Sequence, residues 1–215
     1  MHAQLRFTKF QLAVHAAALA PLAVLLVAWL TDNLTVNPIQ EATFRTGKTA
    51  MALLVASLAC TPANTVFGFR PAIKVRRALG LYAFLYAAIH FGIFIGLDYG
   101  FDLRLVGLEL AEKRYILVGF AALLILLPLA ITSTKGWQRR LGKAWKTLHR
   151  WVYLAGVLVI FHYIWVQKSD IREPIAWGAI LGVLLLLRVP AIRKRAASWR
   201  GSIGKPRRDS QRQAG

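Results

Sequence analysis

Six blocks of apolar residues follow one another along the chain, and short polar segments separate them. Each block is close to the length of about 20 residues that an α-helix needs to cross the roughly 30 Å hydrocarbon core of a bilayer. The blocks are apolar on every side, whereas a helix on the surface of a soluble bundle carries a polar stripe. The pattern therefore predicts six transmembrane helices. The predicted spans are Leu12–Thr31, Thr49–Phe67, Ala78–Leu97, Tyr115–Thr132, Trp151–Val166 and Pro174–Val189.

The composition supports an all-α integral membrane protein. Of 215 residues, 57% are hydrophobic, which is too apolar for a soluble domain of this size. The first block is too long for the apolar region of a usual signal peptide, so it is interpreted as a span. We expect one six-helix bundle domain over residues 1–192 and a basic cytoplasmic tail over 193–215 that is disordered. The single cysteine, Cys60, predicts neither a disulfide nor a zinc site and is expected to pack as a small apolar residue.

Basic residues are concentrated in alternate connecting segments. If the N-terminus is cytoplasmic, the cytoplasmic segments are residues 1–11, 68–77, 133–150 and the tail from 188, and they hold 21 Lys and Arg against one acidic residue, Asp209. The opposite side holds 7 basic and 8 acidic residues. This positive-inside bias predicts that both termini are cytoplasmic. Topology and anionic headgroups explain the net charge of +19, so no nucleic-acid role is expected.

Four of the five histidines lie in or at the edge of predicted spans. An ionisable residue inside a membrane is costly and is a functional candidate by default. Neutral imidazole is also the usual axial ligand of heme iron. His15 is alone in the first span, where a hydrogen bond to a neighbouring helix is the favoured interpretation. The pattern of His90, His149 and His162 is more specific.

His90 and His162 are predicted to lie at similar depth on two different helices. Both occupy the outer half of spans that run from the cytoplasmic side to the outer side. One pair at one depth is what a bis-histidine heme needs. His149 lies 13 residues before His162, or roughly 20 Å lower at about 1.5 Å per residue, which leaves room for a second heme near the cytoplasmic face.

Arg76 occupies the place where a second ligand would face His149. It lies 14 residues before His90, nearly four helical turns, so both residues share one face of the third span. A guanidinium stays protonated and is a poor iron ligand, but it pairs well with a carboxylate such as a heme propionate. The competing interpretation, equally favoured, is that Arg76 only belongs to the cytoplasmic cluster with Lys74 and Arg77.

The interval between His149 and His162 does not fit a straight helix with both rings on one face. Thirteen residues leave the two rings about 140° apart on an ideal helix. Either the fifth helix is distorted, for example near Gly156, or two hemes approach different sides of it. The sequence leaves both interpretations open.

Four stretches of the chain resemble the MsrQ (YedZ) family, and the resemblance extends from about Leu12 to Leu187. The matching stretches are Ser133–Tyr153 (STKGWQRRLGKAWKTLHRWVY), Arg76–His90 (RRALGLYAFLYAAIH), Phe44–Ala50 (FRTGKTA) and Phe161–Trp165 (FHYIW). This family is the heme-binding membrane subunit of the MsrPQ methionine sulfoxide reductase system. It belongs to the wider ferric-reductase-like transmembrane group.

The resemblance implies an electron-transfer subunit of the bacterial inner membrane, without catalytic residues of its own. It implies one or two b-type hemes and FMN, and electrons from the quinone pool or a reduced flavin. The acceptor would be MsrP, a periplasmic molybdopterin enzyme that repairs oxidised methionines in proteins. Heme-iron ligands of the family match His90, His149 and His162, and Arg76 stands where the wider group has a further histidine. The basic stretch Lys135–Lys146 is the candidate for holding the FMN phosphate.

Two other functions compete with this interpretation. One is a stand-alone transmembrane reductase that acts on ferric iron or another external acceptor. The other is a proton or metal transporter, which is disfavoured because proton relays commonly include Asp or Glu and every acidic residue here falls between or beyond the predicted spans. The sequence has no glycine-rich dinucleotide motif after a strand, so the electrons must come from another molecule. No internal repeat is apparent.

Overall fold

A computed structural model describes residues 7–167 and 169–192; the predicted tail, 193–215, lies outside the described residues. Within the described residues every regular element is helical, which confirms the all-α prediction. The α-helices are α1 (Lys9–Leu30), α2 (Pro38–Phe67), α3 (Pro71–Ile93), α4 (Leu103–Glu112), α5 (Arg114–Ile131), α6 (Lys135–Leu141), α7 (Lys143–Leu148), α8 (Val152–Val166) and α9 (Arg172–Leu186). A π-helical turn, Phe94–Asp98, extends α3, and a 3₁₀ turn, His149–Trp151, joins α7 to α8.

Five helical stretches are long and apolar enough to cross a membrane. They are α1, α2, α3 with its π turn, α5, and the continuous run from Lys143 to Val166. Helix α9 has 15 residues, about 22 Å, and is shorter than a usual span. A multi-pass membrane protein is therefore confirmed, and the sixth span stays a prediction.

The surface of the bundle is apolar, as a lipid environment requires. Of the 22 residues of α1, only Ala18 and Leu25 are buried, although the helix carries almost no charge. Large apolar side chains such as Leu30, Leu117 and Val183 are exposed. A soluble protein rarely exposes so extensive an apolar surface, whereas a lipid-facing helix must.

Helices α2, α3, α5 and α8 form the centre of the bundle. Helix α2 packs along α3, α5 packs along α8, and the two pairs meet through α3 with α5 and α2 with α8. Helix α1 packs on the first pair, and α9 packs on α8 and α2. Each central helix contributes one buried residue to a shared apolar cluster, which consists of Leu54, Ala83, Leu126 and Ala155.

Helix α2 begins well before the apolar block that predicted it. The side chain of Asn37 caps the helix by accepting a hydrogen bond from the backbone N–H of Gln40, and Pro38 occupies the first turn. The prediction that this helical segment starts at Thr49 was therefore wrong for the helix, because its first turns are polar. Those polar turns include Thr43 and Gly47, and they also place Glu41 inside a helix rather than in a connecting segment.

Tyrosines of α3 hold α1 in place. The Tyr86 hydroxyl accepts a hydrogen bond from the N–H of Leu22 (2.9 Å) and donates one to the carbonyl of Ala18 (2.8 Å). It thus bridges two groups that pair with each other in a regular helix, next to Pro21. One turn away, His15 Nδ1 lies 2.9 Å from the Tyr82 hydroxyl, which confirms the expected interhelical hydrogen bond.

A distortion was one of the two interpretations of the interval between His149 and His162, and the structure has one at the 3₁₀ turn His149–Trp151, not near Gly156. Gly156 is inside regular α8 and is packed against Leu181 of α9. The basic segment before the turn is two short helices, α6 and α7, joined at Gly142, whose φ of +50° favours glycine.

Candidate functional site

His90 and His162 face each other across the centre of the bundle. His90 projects from α3 and His162 from α8, and their ring centres are 6.2 Å apart with the ring planes at 85°. The structure therefore brings together the two histidines that the sequence placed at similar depth. Both rings are only partly exposed.

A backbone carbonyl orients each ring. His90 Nδ1 lies 2.9 Å from the carbonyl oxygen of Thr43 on α2, and His162 Nδ1 lies 2.7 Å from that of Tyr115 on α5. Since a carbonyl oxygen can only accept, Nδ1 must carry the hydrogen in both rings. In a neutral imidazole Nε2 is then the nitrogen with a free lone pair. Metal-binding histidines in proteins are oriented by this same contact.

Two glycines give the rings their space. Gly47 lies one turn after Thr43, and a Cβ atom there would be 3.1 Å from Nδ1 of His90. Gly119 lies one turn after Tyr115, and a Cβ atom there would be only 2.7 Å from Nδ1 of His162. A side chain larger than hydrogen at Gly119 would collide with the imidazole in its observed position.

The two halves of this arrangement repeat along the chain. In each half the carbonyl precedes its histidine by 47 residues. Equivalent residues of the two halves are separated by the same interval of 72 residues (115 − 43 = 72). The equivalent pairs are Thr43 and Tyr115, Gly47 and Gly119, His90 and His162, Leu54 and Leu126, and Ala83 and Ala155. The expectation of no internal repeat was therefore wrong. The sequence conceals the repeat because few positions, all at helix contacts, carry it.

A cavity of about 610 Å³ opens beside the paired histidines, within the usual size range of cofactor pockets. Its walls come mainly from α2, α3, α5 and α8, and both histidines line it. Leu54, Ala83 and Leu126 of the central apolar cluster close one end. The lining also includes Lys48, about three turns into α2, and Lys113, the residue directly before α5.

Each of these lysines is paired with a carboxylate. Lys48 lies 2.7 Å from Glu173 of α9, and Lys113 pairs with Glu109 one turn earlier. The hydrogen bond from Lys113 lowers the pKa of Glu109, and the same bond raises the pKa of Lys113, so both stay charged at neutral pH. The buried hydroxyl of Tyr163, next to His162, interacts with the Lys48–Glu173 pair.

The histidine pair fits a single metal ion. Metal–imidazole nitrogen bonds are about 2.0–2.1 Å long. If each Nε2 bound one metal ion at that length, the ring centres would be about 6 Å apart, and they are 6.2 Å apart in the structure. An apolar cavity between helices with two oriented imidazoles fits a bis-histidine heme. Among the described residues there is no group of three or more His, Cys, Asp or Glu that would hold a metal ion without such a cofactor.

Comparison with known proteins also supports a heme-binding protein. Residues 12–160 match the family model described as "Ferric reductase like transmembrane component". The protein-methionine-sulfoxide reductase heme-binding subunit MsrQ of Rhodospirillum rubrum is 44% identical over 187 residues, which cover 86% of this chain and 90% of that protein. The MsrQ subunit of Xanthomonas axonopodis pv. citri is 46% identical over 185 residues, which cover 82% and 84%.

The chain belongs to the MsrQ family. The MsrQ subunit of Xanthomonas oryzae pv. oryzae (strain MAFF 311018) is similar too, at 45% identity over 181 residues, 80% of this chain and 82% of that protein. No solved structure matches the chain. This MsrQ family member also carries the other two predicted site residues, and the structure places both away from the cavity.

His149 is separate from the paired histidines. Its ring stacks on Trp145, with ring centres 3.9 Å apart, and its Nδ1 lies 3.1 Å from the carbonyl oxygen of Trp145. Its Nε2 is buried and has no hydrogen-bond partner among the described residues. His149 does not line the cavity, so the structure joins it to neither His90 nor His162. The backbone of Leu129 also interacts with its ring.

Arg76 lies on the same side of the bundle as His149. Its guanidinium donates a hydrogen bond to Thr61 Oγ1 of α2 (3.2 Å), and its carbonyl accepts one from Ser57 (3.0 Å). It is also close enough to His149 for an electrostatic interaction. Arg76 is therefore held against α2 and partly buried, rather than projecting freely like Arg77.

Sequence reasoning missed Thr43, Gly47, Tyr115 and Gly119, the residues that orient the histidine pair. Gly47 falls in FRTGKTA, a stretch that the resemblance includes. The available signal was a glycine inside a helix in both α2 and α5. A glycine inside a helix is unfavourable by about 1 kcal/mol relative to alanine, so it usually has a packing reason.

Proposed function

We propose that this protein is the heme-binding electron-transfer subunit of a protein-methionine-sulfoxide reductase. The observation that carries the proposal is the histidine pair, in which two carbonyl-oriented imidazoles on α3 and α8 stand 6.2 Å apart beside an apolar cavity. MsrQ relatives over most of the chain, which are named as heme-binding subunits of that reductase, support it.

His90 and His162 would hold one b-type heme through their Nε2 atoms. A heme iron with two imidazole ligands supplies one-electron redox chemistry and has no open position for a substrate. The carbonyls of Thr43 and Tyr115 fix both rings and raise their basicity. The apolar cluster at the end of the cavity excludes water from the inner half of the bundle.

We further infer six spans, with both termini on the cytoplasmic side of a bacterial inner membrane. The supporting observation is the 21 basic residues against one acidic residue on the side assigned to the cytoplasm. Helix α9 would be the sixth span, extended by the residues up to Val189. In this orientation the histidine pair lies toward the periplasm, and His149 and Arg76 lie toward the cytoplasm.

Reporter fusions test this topology. Alkaline phosphatase is active only outside the cytoplasm, so fusion after Arg104 is expected to give high activity, and fusion after Val189 is expected to give none. A cytoplasmically fluorescent reporter should show the reverse pattern. High phosphatase activity after Val189 would mean that α9 does not cross the membrane.

The proposed direction of electron transfer is from the cytoplasmic side to the periplasmic side. The donor would be the quinone pool or a reduced flavin, with FMN bound at the basic helices α6 and α7, and the acceptor would be the periplasmic subunit MsrP. Support for a flavin site comes from exposed cations, including Arg139, Arg140 and Lys143, that directly precede His149. Clustered cations attract an anionic flavin phosphate.

Neutralising Arg139, Arg140 and Lys143 to Gln is expected to slow reduction of the protein by reduced FMN. In inverted vesicles, which expose the cytoplasmic face, the heme absorbance of the wild type should change quickly after reduced FMN is added. We expect the triple variant to be at least several-fold slower, because the attraction of the phosphate is lost. Arg45, Arg104 and Arg114 on the other side, changed together to Gln, provide the charge-matched control. Equal rates in both variants would favour a quinone that arrives from within the bilayer.

A stand-alone ferric reductase is the second candidate, because residues 12–160 match a family named for that activity. The two proposals differ in their need for a protein partner. Purified subunit in nanodiscs, chemically reduced, should transfer electrons quickly to MsrP and slowly to ferric citrate. Rapid ferric reduction without MsrP would favour the second candidate.

A further inference from the structure

The end of the bundle away from the histidine pair contains two arginines whose guanidiniums point into the protein. Arg188 follows α9, in the segment that the sequence assigned to the cytoplasmic tail. Its side chain instead turns back between the helices, where Nη1 donates to the hydroxyl of Tyr153 (2.7 Å) and Nη2 donates to the carbonyl of Leu58. Arg76 reaches the same region from α3.

A proline explains why Arg188 binds there. In a regular helix the carbonyl of Leu58 would accept a hydrogen bond from the N–H of residue 62, but residue 62 is proline and has no N–H. The guanidinium of Arg188 satisfies this free carbonyl. It also lies over the Tyr153 ring, 5.0 Å from the ring centre. The position of the Arg188 side chain is thus built into the bundle.

The two arginines lack a counter-charge. Arg76 and Arg188 are close enough to repel each other, and both interact electrostatically with the buried Cys60 thiol. All acidic side chains of the described residues lie on the opposite side of the bundle, and the one remaining acidic residue, Asp209, is outside the described residues. Guanidinium does not lose its proton, and partly buried like charges without an anion are costly.

Three groups at the arginines keep a hydrogen that they can still donate. Nε of Arg188 is buried without a partner. The hydroxyls of Tyr153 and Thr61 each accept a hydrogen bond from an arginine, so the hydrogen of each hydroxyl is free to donate. Thr61 is six residues, about 9 Å, from the end of α2 at Phe67, close to the level of lipid headgroups.

We infer that Arg76 and Arg188, with Tyr153 and Thr61, form a binding site for a phosphate group at the cytoplasmic end of the bundle. Two guanidiniums and two hydroxyls present the donors that a phosphate accepts. The phosphate comes either from an anionic lipid headgroup or from a free phosphate. This inference does not rest on the proposed electron transfer, because the site is separate from the histidine pair.

The test compares thermal unfolding of the full-length protein in nanodiscs, followed by tryptophan fluorescence. One arm adds phosphatidylglycerol to a phosphatidylcholine bilayer, and the other adds inorganic phosphate to phosphatidylcholine nanodiscs at constant ionic strength. The wild type should gain several degrees in Tm in one of the arms, and that arm identifies the source. Arg188→Gln should lose most of the gain, and Tyr153→Phe, which keeps the ring, should lose part of it.

The control is Arg77→Gln, which removes the same charge from the neighbouring exposed position and should keep the full gain. A lower Tm of Arg188→Gln in every lipid, with the gain unchanged, would show that Arg188 only ties α9 to α2. That result, or no gain of the wild type in either arm, would overturn the inference.

Discussion

Replacing either His90 or His162 by alanine is expected to remove the same heme. The two rings would share one iron. The loss of one ligand would therefore leave the heme with a single imidazole, or leave the site without heme. A heme with one imidazole is held much more weakly and changes spin state. We expect both single variants, and the double variant, to lose the same low-spin absorbance, because the two residues act as one unit.

The pyridine hemochrome assay and the reduced-minus-oxidised spectrum measure this result. His15→Ala is the matched control, since His15 is also an intramembrane histidine but is hydrogen-bonded to Tyr82 and does not line the cavity. His149→Ala removes the histidine at the cytoplasmic end of the bundle. It should leave unchanged the absorbance of the heme at the paired histidines. Full heme content in both His90→Ala and His162→Ala would contradict the pairing.

Gly119→Ala is expected to weaken heme binding although it changes no ligand. The added Cβ would lie 2.7 Å from Nδ1 and 2.8 Å from Cε1 of His162, so the ring must move and lose its contact with the carbonyl of Tyr115. Loss of such an orienting contact typically costs about 10–100-fold in metal affinity. Since alanine favours a helix over glycine by about 1 kcal/mol, any loss must come from the collision and not from α5 itself.

Two other glycines allow the loss of heme affinity to be ranked among three Gly→Ala variants. Gly47→Ala should have a smaller effect, because its Cβ would stand 3.1 Å from the ring of His90 and needs only a small adjustment. Gly92→Ala, on the same helix as His90, has open space around its Cβ and should bind heme like the wild type. Heme titration of the three variants measures the order. Equal affinity of Gly119→Ala and Gly92→Ala would mean that Gly119 does not position His162.

The apolar pattern predicted the spans well because the bilayer imposes a length and a polarity on each of them. It failed at the start of α2, where the turns before Thr49 are polar and still helical because Asn37 and Pro38 start the helix earlier. Those turns hold Thr43 and Gly47, so the same failure hid half of the residues that orient the histidine pair. Hydropathy reports the environment of a helix but not where its hydrogen bonding begins.

The predicted topology placed His90 and His162 at one depth but left their contacts open. Which carbonyl meets each ring depends on the pairing of α2 with α3 and of α5 with α8, and that pairing depends on contacts between residues far apart in sequence. Arg188 shows the same limit. The sequence counted it only among the cytoplasmic basic residues, whereas Pro62, distant in sequence, leaves a carbonyl in α2 that accepts a hydrogen bond from its guanidinium.

The measurement that most directly tests the histidine pair is low-temperature EPR spectroscopy of the oxidised protein. Imidazole planes at 85° leave two iron d orbitals nearly equal in energy, which gives a strongly anisotropic low-spin ferric signal. We predict that signal in the wild type and in His149→Ala, and its loss in His90→Ala and in His162→Ala. A wild-type spectrum with only high-spin iron, or a low-spin signal that survives in both of those variants, would contradict ligation of one heme by His90 and His162.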